Sequence, residues 1–433
     1  MRVRVPLALR VYRVASIAAA PAVASRLLAW RLKRGKEDPA RLAERYGVTK
    51  LPRPNGPLIW LHGASVGEML AVIPLIQRIR AMNFAVLVTS GTVTSAALAR
   101  QRLPAGAIHQ FIPLDAPRFV SRFLDHWQPD LALFVESDLW PNLILTCAGR
   151  GIPMILINGR VSERSFNRWR RLPGVIATLL GCFDLCLTQS SVDTQRYSQL
   201  GAPRISSSGN LKLDVPAPPA DQAALRKLKS TIGTRPVIAA ASTHAGEEAA
   251  IIAVHHQLRA KYPSLLTVIA PRHPDRGSDI VESAKAAGLS VAVRSRGDLP
   301  NIDVDIFVAD TLGELGIIYR LAPIVFMGGS LASHGGQNPI EAIRLGAAVV
   351  HGPNVWNFDE IYATLDAAHG AERIADEAGL TACLANWLAH PATRKAVADT
   401  ALVTVGKLSG ALERTLAAIE PYLRQLRLEQ RAS

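Results

Sequence analysis

Glu68 has the residue type and the sequence setting of a catalytic group. It follows the apolar run 58–62 and a glycine-bearing turn that contains Ser65 and Gly67, and it falls in the first turn of a predicted helix. Glycine lets the backbone approach a ligand closely, and the start of a helix presents unpaired N–H groups. A carboxylate there could remove a proton from a substrate hydroxyl as a general base. The alternative is that Glu68 only complements the positive end of the helix dipole.

A second acidic motif, Glu136-Ser137-Asp138, ends the predicted strand 131–136 and leads to Pro141. Acids at the carboxyl end of a parallel strand favour a role in binding or positioning a substrate. An equally good interpretation is a helix start, with Ser137 or Asp138 as the cap and Pro141 in the first turn.

Arg272 and His273 follow another predicted strand, in the second half of the chain. A guanidinium can bind phosphate in bidentate fashion, and an imidazole can hydrogen-bond a phosphate or a sugar. The alternative is an arginine that pairs with a surface acid.

The segment 327–342 is rich in glycine and contains two glycine pairs, Gly328-Gly329 and Gly335-Gly336, before a predicted helix at Asn338-Pro339. Backbone N–H groups in such a turn can hold a phosphate. Glu341 lies one turn further on and could accept ribose hydroxyls, as acids do in dinucleotide-binding folds. The alternative is a loop made only for tight packing.

Short apolar runs that alternate with helical patterns must position these residues. The helical patterns include 247–261, 278–287, 338–345 and 401–420, and the last of them is a candidate for packing back across both domains. The predicted strands are 58–62, 85–89, 131–136, 154–158, 185–188, 237–241, 265–270, 291–293, 306–308, 324–327 and 347–350. This alternation predicts an α/β fold with parallel sheets covered on both faces.

A proline-rich stretch interrupts the alternation once and predicts two Rossmann-like domains that face each other across a cleft. We expect a membrane-anchoring segment at 1–35, an N-terminal Rossmann-like domain at 36–213 and a linker at 214–222. A second Rossmann-like domain should follow at 223–410, and a helix at 411–433 should pack back on the N-terminal domain. Ligands should lie beyond the carboxyl ends of the strands.

The composition excludes several classes of protein. The chain has 433 residues, of which 49% are hydrophobic and 19% charged, so it is neither disordered nor fibrous. Four scattered cysteines exclude a disulfide framework. The net charge is +14, but residues 1–36 hold nine basic and no acidic residues, which leaves +5 for the rest. A large nucleic-acid-binding surface is therefore not expected.

The basic N-terminal segment also contains an uncharged run at 14–25, which is shorter than the roughly 20 apolar residues that span a bilayer. We expect a helix on the membrane surface, with Trp30 in the interface and the arginines on anionic head groups. A solvated helix packed on the domain, a cleaved signal and a spanning segment are the alternatives.

Together these motifs resemble the 3-deoxy-D-manno-octulosonic acid (Kdo) transferases of lipopolysaccharide synthesis, glycosyltransferase family 30, which have the GT-B fold. The resemblance covers almost the whole chain, although Gln337 stands where the family has histidine. The matching segments are Glu44-Arg45-Tyr46-Gly47, Trp60 and His62 with Ser65-Val66-Gly67-Glu68, Glu136 to Asn142, Gly209-Asn210-Leu211-Lys212, Ala270 to His273, Asp310 to Leu315, and Gly328 to Glu341 with Asn357-Phe358.

The resemblance implies transfer of Kdo from CMP-Kdo to lipid IVA at the cytoplasmic face of the inner membrane, with Glu68 as the catalytic base. It implies an acceptor-binding domain at 36–213, a CMP-Kdo-binding domain at 223–410 and no cofactor. No metal is expected either, because a phosphate monoester can leave as an anion without one. Ser65, Gly67, Glu136 and Lys212 would line the cleft or position the acceptor. The CMP-binding residues would be Arg272, His273, Gly313, Glu314, Leu315, Gly335, Gly336, Asn338 and Glu341.

The alternatives are another membrane-associated GT-B enzyme with a UDP- or GDP-sugar donor and a non-catalytic nucleotide sensor at the membrane. The sensor would keep Arg272 and Glu341 but would have no use for Glu68.

Overall fold

The computed structural model describes residues 5–214 and 217–432. The chain divides into two compact units, Met1–Val215 with Leu408–Ser433 and Pro216–Lys407. Of the predicted linker, residues 215 and 216 lie outside the described residues, as do residues 1–4 of the predicted anchor and residue 433. Residues 217–221 have no regular structure, and the next helix begins at Gln222.

The first unit contains a seven-stranded parallel sheet in the order β3-β2-β1-β4-β5-β6-β7. Its central strands are buried on both faces, as expected for parallel strands covered by helices. The strands are β1 (Leu58–His62), β2 (Ala85–Ser90), β3 (Ala107–Phe111), β4 (Leu131–Val135), β5 (Met154–Gly159), β6 (Leu185–Thr188) and β7 (Ile205–Ser207).

The helices of the first unit mostly follow the strands and start at residues suited to the task. Serine or threonine side chains cap four of them, and proline stands in the first turn of three others. The helices are α1 (Leu7–Lys33), α2 (Leu42–Arg45), α3 (Val66–Ala81), α4 (Val93–Arg102), α5 (Pro117–Trp127), α6 (Pro141–Gly149), α7 (Glu163–Trp169), α8 (Pro173–Leu180) and α9 (Ser191–Gln199).

The second unit repeats the same architecture with the strand order β10-β11-β9-β8-β12-β13-β14, again all parallel. The strands are β8 (Val237–Thr243), β9 (Leu266–Pro271), β10 (Val291–Val293), β11 (Ile306–Val308), β12 (Ile324–Met327), β13 (Ala348–His351) and β14 (Glu372–Arg373). The helices are α10 (Gln222–Ile232), α11 (Glu247–Arg259), α12 (Gly277–Ala286), α13 (Leu315–Leu321), α14 (Ile340–Arg344), α15 (Asp359–Ala367), α16 (Glu377–Ala389) and α17 (Pro391–Leu408). The predicted α/β class is confirmed.

The last helix, α18 (Ala411–Ala432), packs on the sheet of the first unit. Leu416, Ile419 and Leu423 are buried in the same core as strands β1, β4 and β5. The prediction of one helical stretch over 401–420 is wrong, because the chain breaks at Gly410, where φ is +91°. Asp214 accepts the N–H of Gly410 at 2.8 Å and so fixes this break.

Helix α1 lies against the first unit through one side only. Leu9, Ala24 and Leu28 are buried, whereas most of its other apolar side chains are exposed. Among the described residues no single helix is long and apolar enough to cross a membrane. The two arms of α1, Leu7–Ala20 and Ala22–Lys33, meet at 68°. Taken together, but not singly, they have the length and apolar composition of a membrane-spanning segment.

Candidate active site

In the first unit, the end of β1 and the segments after β1, β4 and β7 bring a group of charged side chains together. These strands belong to one parallel sheet, so their carboxyl ends share one edge of the sheet. The group consists of His62, Glu68, Glu136, Asp138 and Lys212. The sequence predicts Glu68, Glu136 and Lys212 as site residues, and the structure places all three here.

Glu68 is half-buried at the start of α3, where Ser65 caps the helix. The hydroxyl of Ser65 donates to Glu68 Oε1 at 2.8 Å, and the N–H of Ala64 donates to Oε2 at 2.7 Å. These bonds fix the carboxylate in one orientation. A methyl group on Gly67 would meet only Ser65 Oγ, at 4.0 Å, so packing does not require glycine there.

The pKa of Glu68 is raised. Burial is the main cause, and the negative charge of Glu136 adds to it, while the hydrogen bonds from Ser65 and Ala64 act in the opposite direction. A carboxyl that is fixed and has a raised pKa is suited to proton transfer. The fixed orientation and the raised pKa of Glu68 therefore favour the general-base interpretation over the one in which it only complements the helix dipole.

Glu136 occupies a strained turn directly after β4. Its φ is +61°, a left-handed conformation that costs energy for a residue with a side chain and that clusters at functional sites. Lys212 Nζ lies 2.6 Å from its Oε1 atom, and the hydroxyl of Tyr197 donates to its carbonyl oxygen at 3.2 Å. These contacts hold the turn and aim the carboxylate.

Asp138 contacts a buried histidine that the sequence analysis did not assign a role. His62 Nε2 lies 3.2 Å from Asp138 Oδ2, and its Nδ1 lies 3.0 Å from the Thr89 hydroxyl. Burial would raise the pKa of Asp138, but the hydrogen bond and the charge of His62 hold it below its usual value. The sequence contains one signal for this residue, which is that His62 ends a predicted strand.

The alternative interpretation of Ser137 and Asp138 as helix caps is wrong. Helix α6 receives its capping bonds from Asp115, which accepts the N–H groups of Asn142 and Leu143 at 3.1 and 2.8 Å. Asp138 is therefore not needed to start the helix.

In the second unit, Arg272 and His273 lie on the exposed turn after β9. In the part of the chain that the structure describes, the Arg272 guanidinium makes no ion pair, so the surface-pair alternative does not apply to it. The neighbouring Arg276 does make one, with Glu248 at 3.2 Å. Arg272 thus presents a cation to solvent beside the carboxyl ends of β8 and β9.

Two histidines that the sequence analysis missed lie next to this turn. The rings of His244 and His334 stack at 4.1 Å and 15°, and His273 lies 6.1 Å from His244. Gln337, the departure from the family pattern, approaches His244 at 3.4 Å. Burial lowers the pKa of His244, and the charges of His334, His273 and Arg272 lower it further. The sequence contains one signal for His244, which is its position directly after β8.

The sequence suggests that N–H groups of the glycine-rich segment could hold a phosphate. The N–H groups of residues 329–332 are not available for this, because they are already hydrogen-bonded within the protein. The buried carboxylate of Glu247 accepts them, from Gly329 at 2.7 Å, Ser330 at 3.0 Å, Leu331 at 2.9 Å and Ala332 at 3.2 Å. It also accepts the N–H of His244 at 2.9 Å. Glu247 therefore ties the His244 turn to the glycine-rich loop.

Replacing Glu247 by alanine is expected to lower the free energy of unfolding by about 3 kcal/mol or more, because five N–H groups lose their acceptor. Chemical denaturation of the full chain would measure this loss, and hydrogen exchange at 329–332 should accelerate. The exposed Glu282→Ala on α12 is the control and should stay within about 0.5 kcal/mol of the parent. Equal stability of the two variants would contradict the assigned role.

The second glycine pair is constrained by packing. A methyl group on Gly335 would lie 2.5 Å from both Trp356 Nε1 and Asn357 Nδ2, and its φ is +87°. Asn338 accepts the N–H of Ile340 at 3.0 Å. Tight packing is thus part of the reason for glycine here.

The remaining predicted donor-site residues lie on two helix starts. Glu341 is half-buried on α14, and its charge adds to burial in raising the pKa of Tyr319. Glu314 forms a two-pronged ion pair with Arg294 at 2.7 and 2.9 Å, and Arg294 lowers its pKa. Gly313 is exposed with φ +83°, and α13 begins at Leu315. The side chain of Glu314 is therefore engaged, whereas the backbone of Gly313 is accessible.

No group of three metal-ligating side chains (His, Cys, Asp or Glu) lies close enough to hold a metal ion in residues 5–214 and 217–432.

Comparison with known proteins identifies relatives over most of the chain. A family model described as 3-deoxy-D-manno-octulosonic-acid transferase (kdotransferase) matches residues 40–215. A probable mitochondrial 3-deoxy-D-manno-octulosonic acid transferase of Arabidopsis thaliana is 37% identical over 371 residues, 83% of each chain. A 3-deoxy-D-manno-octulosonic acid transferase of Haemophilus influenzae is 33% identical over 395 residues, 88% of this chain and 91% of the relative.

Among solved structures, a glycosyltransferase from Rickettsia africae superposes with a TM-score of 0.56. The sequence identity is 13%, and the match covers 86% of this chain and 99% of that one. At this identity the likeness concerns the fold alone.

Proposed function

Since this chain belongs to the 3-deoxy-D-manno-octulosonic acid (Kdo) transferase family and has its GT-B fold, we propose that it transfers Kdo from CMP-Kdo to a hydroxyl of lipid IVA. The observation that carries the proposal is the fixed, half-buried carboxylate of Glu68 at the carboxyl end of β1, beside Glu136. Transfer to a hydroxyl needs a group that accepts the hydroxyl proton.

In the proposed reaction, Glu68 takes the proton of the acceptor hydroxyl while that oxygen attacks the anomeric carbon of Kdo. A new glycosidic C–O bond forms as the bond to the phosphate oxygen of CMP breaks, and CMP leaves with the electron pair. The configuration at the anomeric carbon inverts. Lys212 orients Glu136 through their ion pair, and the negative charge of Glu136 in turn raises the pKa of the base.

The second unit supplies the donor site in this proposal. Arg272 and His273 oppose the charge that builds on the departing phosphate, and the stacked His244 and His334 lie next to them. The second glycine pair (Gly335-Gly336), with Asn338 and Glu341, binds the ribose and phosphate. Gly313-Glu314-Leu315 contacts the cytosine or the ribose. The proposal uses no metal and no cofactor.

The direct test is purified full-length protein with CMP-Kdo generated in situ and lipid IVA as acceptor. Mass spectrometry of the products should show at least one added Kdo, and it counts the additions. A thermal-shift comparison of CMP with UDP and GDP is the donor control. Stabilisation by UDP or GDP but not by CMP would favour the other GT-B reaction and overturn this proposal.

The pH dependence of kcat/KM tests the assignment of Glu68 as the general base. Glu68 must be ionised to accept a proton, and its pKa is raised above the ordinary value of 4.5, so kcat/KM should fall on acidification at a pH above that value. Glu136→Gln removes the charge that raises this pKa and should move the acidic limb to lower pH. The exposed Glu163→Gln should leave the limb in place. A limb that does not move in Glu136→Gln would contradict the assignment of Glu68.

We also propose that α1 holds the enzyme on the cytoplasmic face of the inner membrane. The basis is its exposed apolar residues, among them Val14 and Ile17, beside a run of basic residues. Truncation is a poor test because α1 also covers part of the core.

Val14→Glu with Ile17→Glu is therefore expected to abolish sedimentation with anionic vesicles while the fold persists. The matched control, Val192→Glu with Val403→Glu, makes the same charge change at apolar sites of similar exposure. Equal sedimentation of the two double variants would count against the anchor.

A further inference from the structure

A cavity of about 260 Å³ opens in the first unit beside the Glu136 turn, and the activity proposed above does not use it. Its apolar walls include Trp140, Trp169, Ile176 and Leu180, and its polar lining includes Ser165 and Arg168. Ile176 and Leu180 are fully buried side chains of α8, whereas Trp140 is 41% exposed. The cavity thus has an apolar interior and a mixed, solvent-facing rim.

The cavity adjoins the candidate catalytic carboxylates. Ser137 and Asp138 line it directly, and Asp138 contacts His62 at 3.2 Å. Tyr197 also lines it and donates a hydrogen bond to the carbonyl of Glu136. A molecule seated in the cavity therefore has one end next to the turn that neighbours Glu68.

The segment that supplies Ser165, Arg168 and Trp169 to the cavity carries a concentration of positive charge. The segment 160–171 contains five exposed arginines and a single acid, Glu163. Arg168 lines the cavity itself. This charge pattern attracts an anionic group to the mouth of an apolar cavity. The five arginines are Arg160, Arg164, Arg168, Arg170 and Arg171.

The start of α1 lies against the same wall. Leu9 is part of the core that contains Ile176 and Leu180, and Pro6 lies 3.9 Å from the point where a side chain on Gly174 would begin. Leu7 and Leu172, which flank this contact, are 75% and 49% exposed. The start of α1 thus lies against α8, the helix that supplies Ile176 and Leu180 to the cavity.

We propose that this cavity binds an acyl chain of the lipid acceptor and that Arg168 and its neighbours bind the anionic head group. The proposal rests on the proposed function, since it names how the acceptor of that reaction is held. An acyl chain fits better than a sugar ring, because Ile176 and Leu180 offer no hydrogen-bond partners to hydroxyl groups buried against them. Charge complementarity and the nearness of α1, which is proposed to meet the membrane, favour an anionic amphiphile.

The first test measures binding without any transfer reaction. ω-Bromododecanoic acid, below the concentration at which it forms micelles, should quench tryptophan fluorescence saturably, because bromine quenches on contact. Trp140→Phe with Trp169→Phe should remove the saturable part. Ser165→Phe, which fills the cavity, should weaken the binding at least about tenfold. Asn167 lies on the same helix but outside the cavity lining, so the Asn167→Phe variant should bind the brominated acid as the parent does.

The second test separates the acyl chain from the sugar. Ser165→Phe should raise KM for the tetra-acylated acceptor at least about tenfold but leave KM for the de-acylated, phosphorylated disaccharide unchanged. Arg168→Ala should raise both KM values more than Arg164→Ala, which makes the same charge change outside the cavity lining.

The outcomes distinguish this proposal from the proposed function. If the parent transfers no Kdo but the quenching behaves as described, the function fails and the amphiphile site stands. Equal quenching in Ser165→Phe and the parent overturns the site, and so does a rise in KM that is the same for the acylated and the de-acylated acceptor.

Discussion

Replacing Glu68 by glutamine is expected to slow Kdo transfer about 10³-fold while the affinity for CMP stays unchanged. General-base catalysis contributes about 10²- to 10⁴-fold, and an amide cannot take the proton. Glutamine keeps an oxygen that accepts the N–H of Ala64, so the start of α3 should persist. Steady-state kinetics with CMP-Kdo and lipid IVA, together with calorimetric titration of CMP, would measure the two effects.

The control separates catalysis from helix capping. Glu163 is also a first-turn glutamate, in a helix that a serine caps, but it lies in the exposed part of α7. If Glu68 acted only on the helix dipole, Glu68→Gln and Glu163→Gln would change stability by similar small amounts and leave the rate alone. Activity of a tenth or more in Glu68→Gln would exclude it as the base and make Glu136 the next candidate.

The sequence predicts the central strands of both sheets but misses three at their edges. All eleven predicted strands are present within two residues of their predicted ends, whereas β3, β7 and β14 were not expected. These three are edge strands. A central parallel strand is buried on both faces and so forms an unbroken apolar run, but an edge strand such as Ile205–Ser207 is partly exposed and carries no such signal.

The candidate site is predictable where a residue follows a strong strand and unpredictable where it depends on a distant partner. Glu136 stands directly after a strand, Glu68 lies in the first turn of the helix that follows another, and periodicity locates both strands. The contact of His62 with Asp138 joins residues 76 positions apart, so no local pattern reports it. Glu247 resembles an ordinary first-turn glutamate, and only the folded chain shows its carboxylate in the glycine-rich loop.

Replacing Arg272 by alanine is expected to lower kcat/KM by about 10²- to 10³-fold, through a higher KM for CMP-Kdo and a lower kcat together. The exposed guanidinium makes no ion pair in the described part of the chain, so its loss should leave stability unchanged. An Arg272 guanidinium that binds the phosphate of CMP stabilises the bound donor. It stabilises the transition state more, because negative charge builds on the leaving phosphate. Kinetics with varied CMP-Kdo and titration with CMP would measure both effects.

Two variants sharpen this prediction about Arg272. Arg272→Lys keeps the charge but loses the bidentate geometry, so its rate should fall between those of the parent and Arg272→Ala. Arg276→Ala removes the same charge four residues along the chain, but its main cost should be stability, because Arg276 pairs with the buried Glu248. Since both arginines contribute equally to net charge, a larger kinetic loss at position 272 would mark direct contact with the phosphate. Equal kinetic losses would mean that the donor responds only to the overall positive field of this turn.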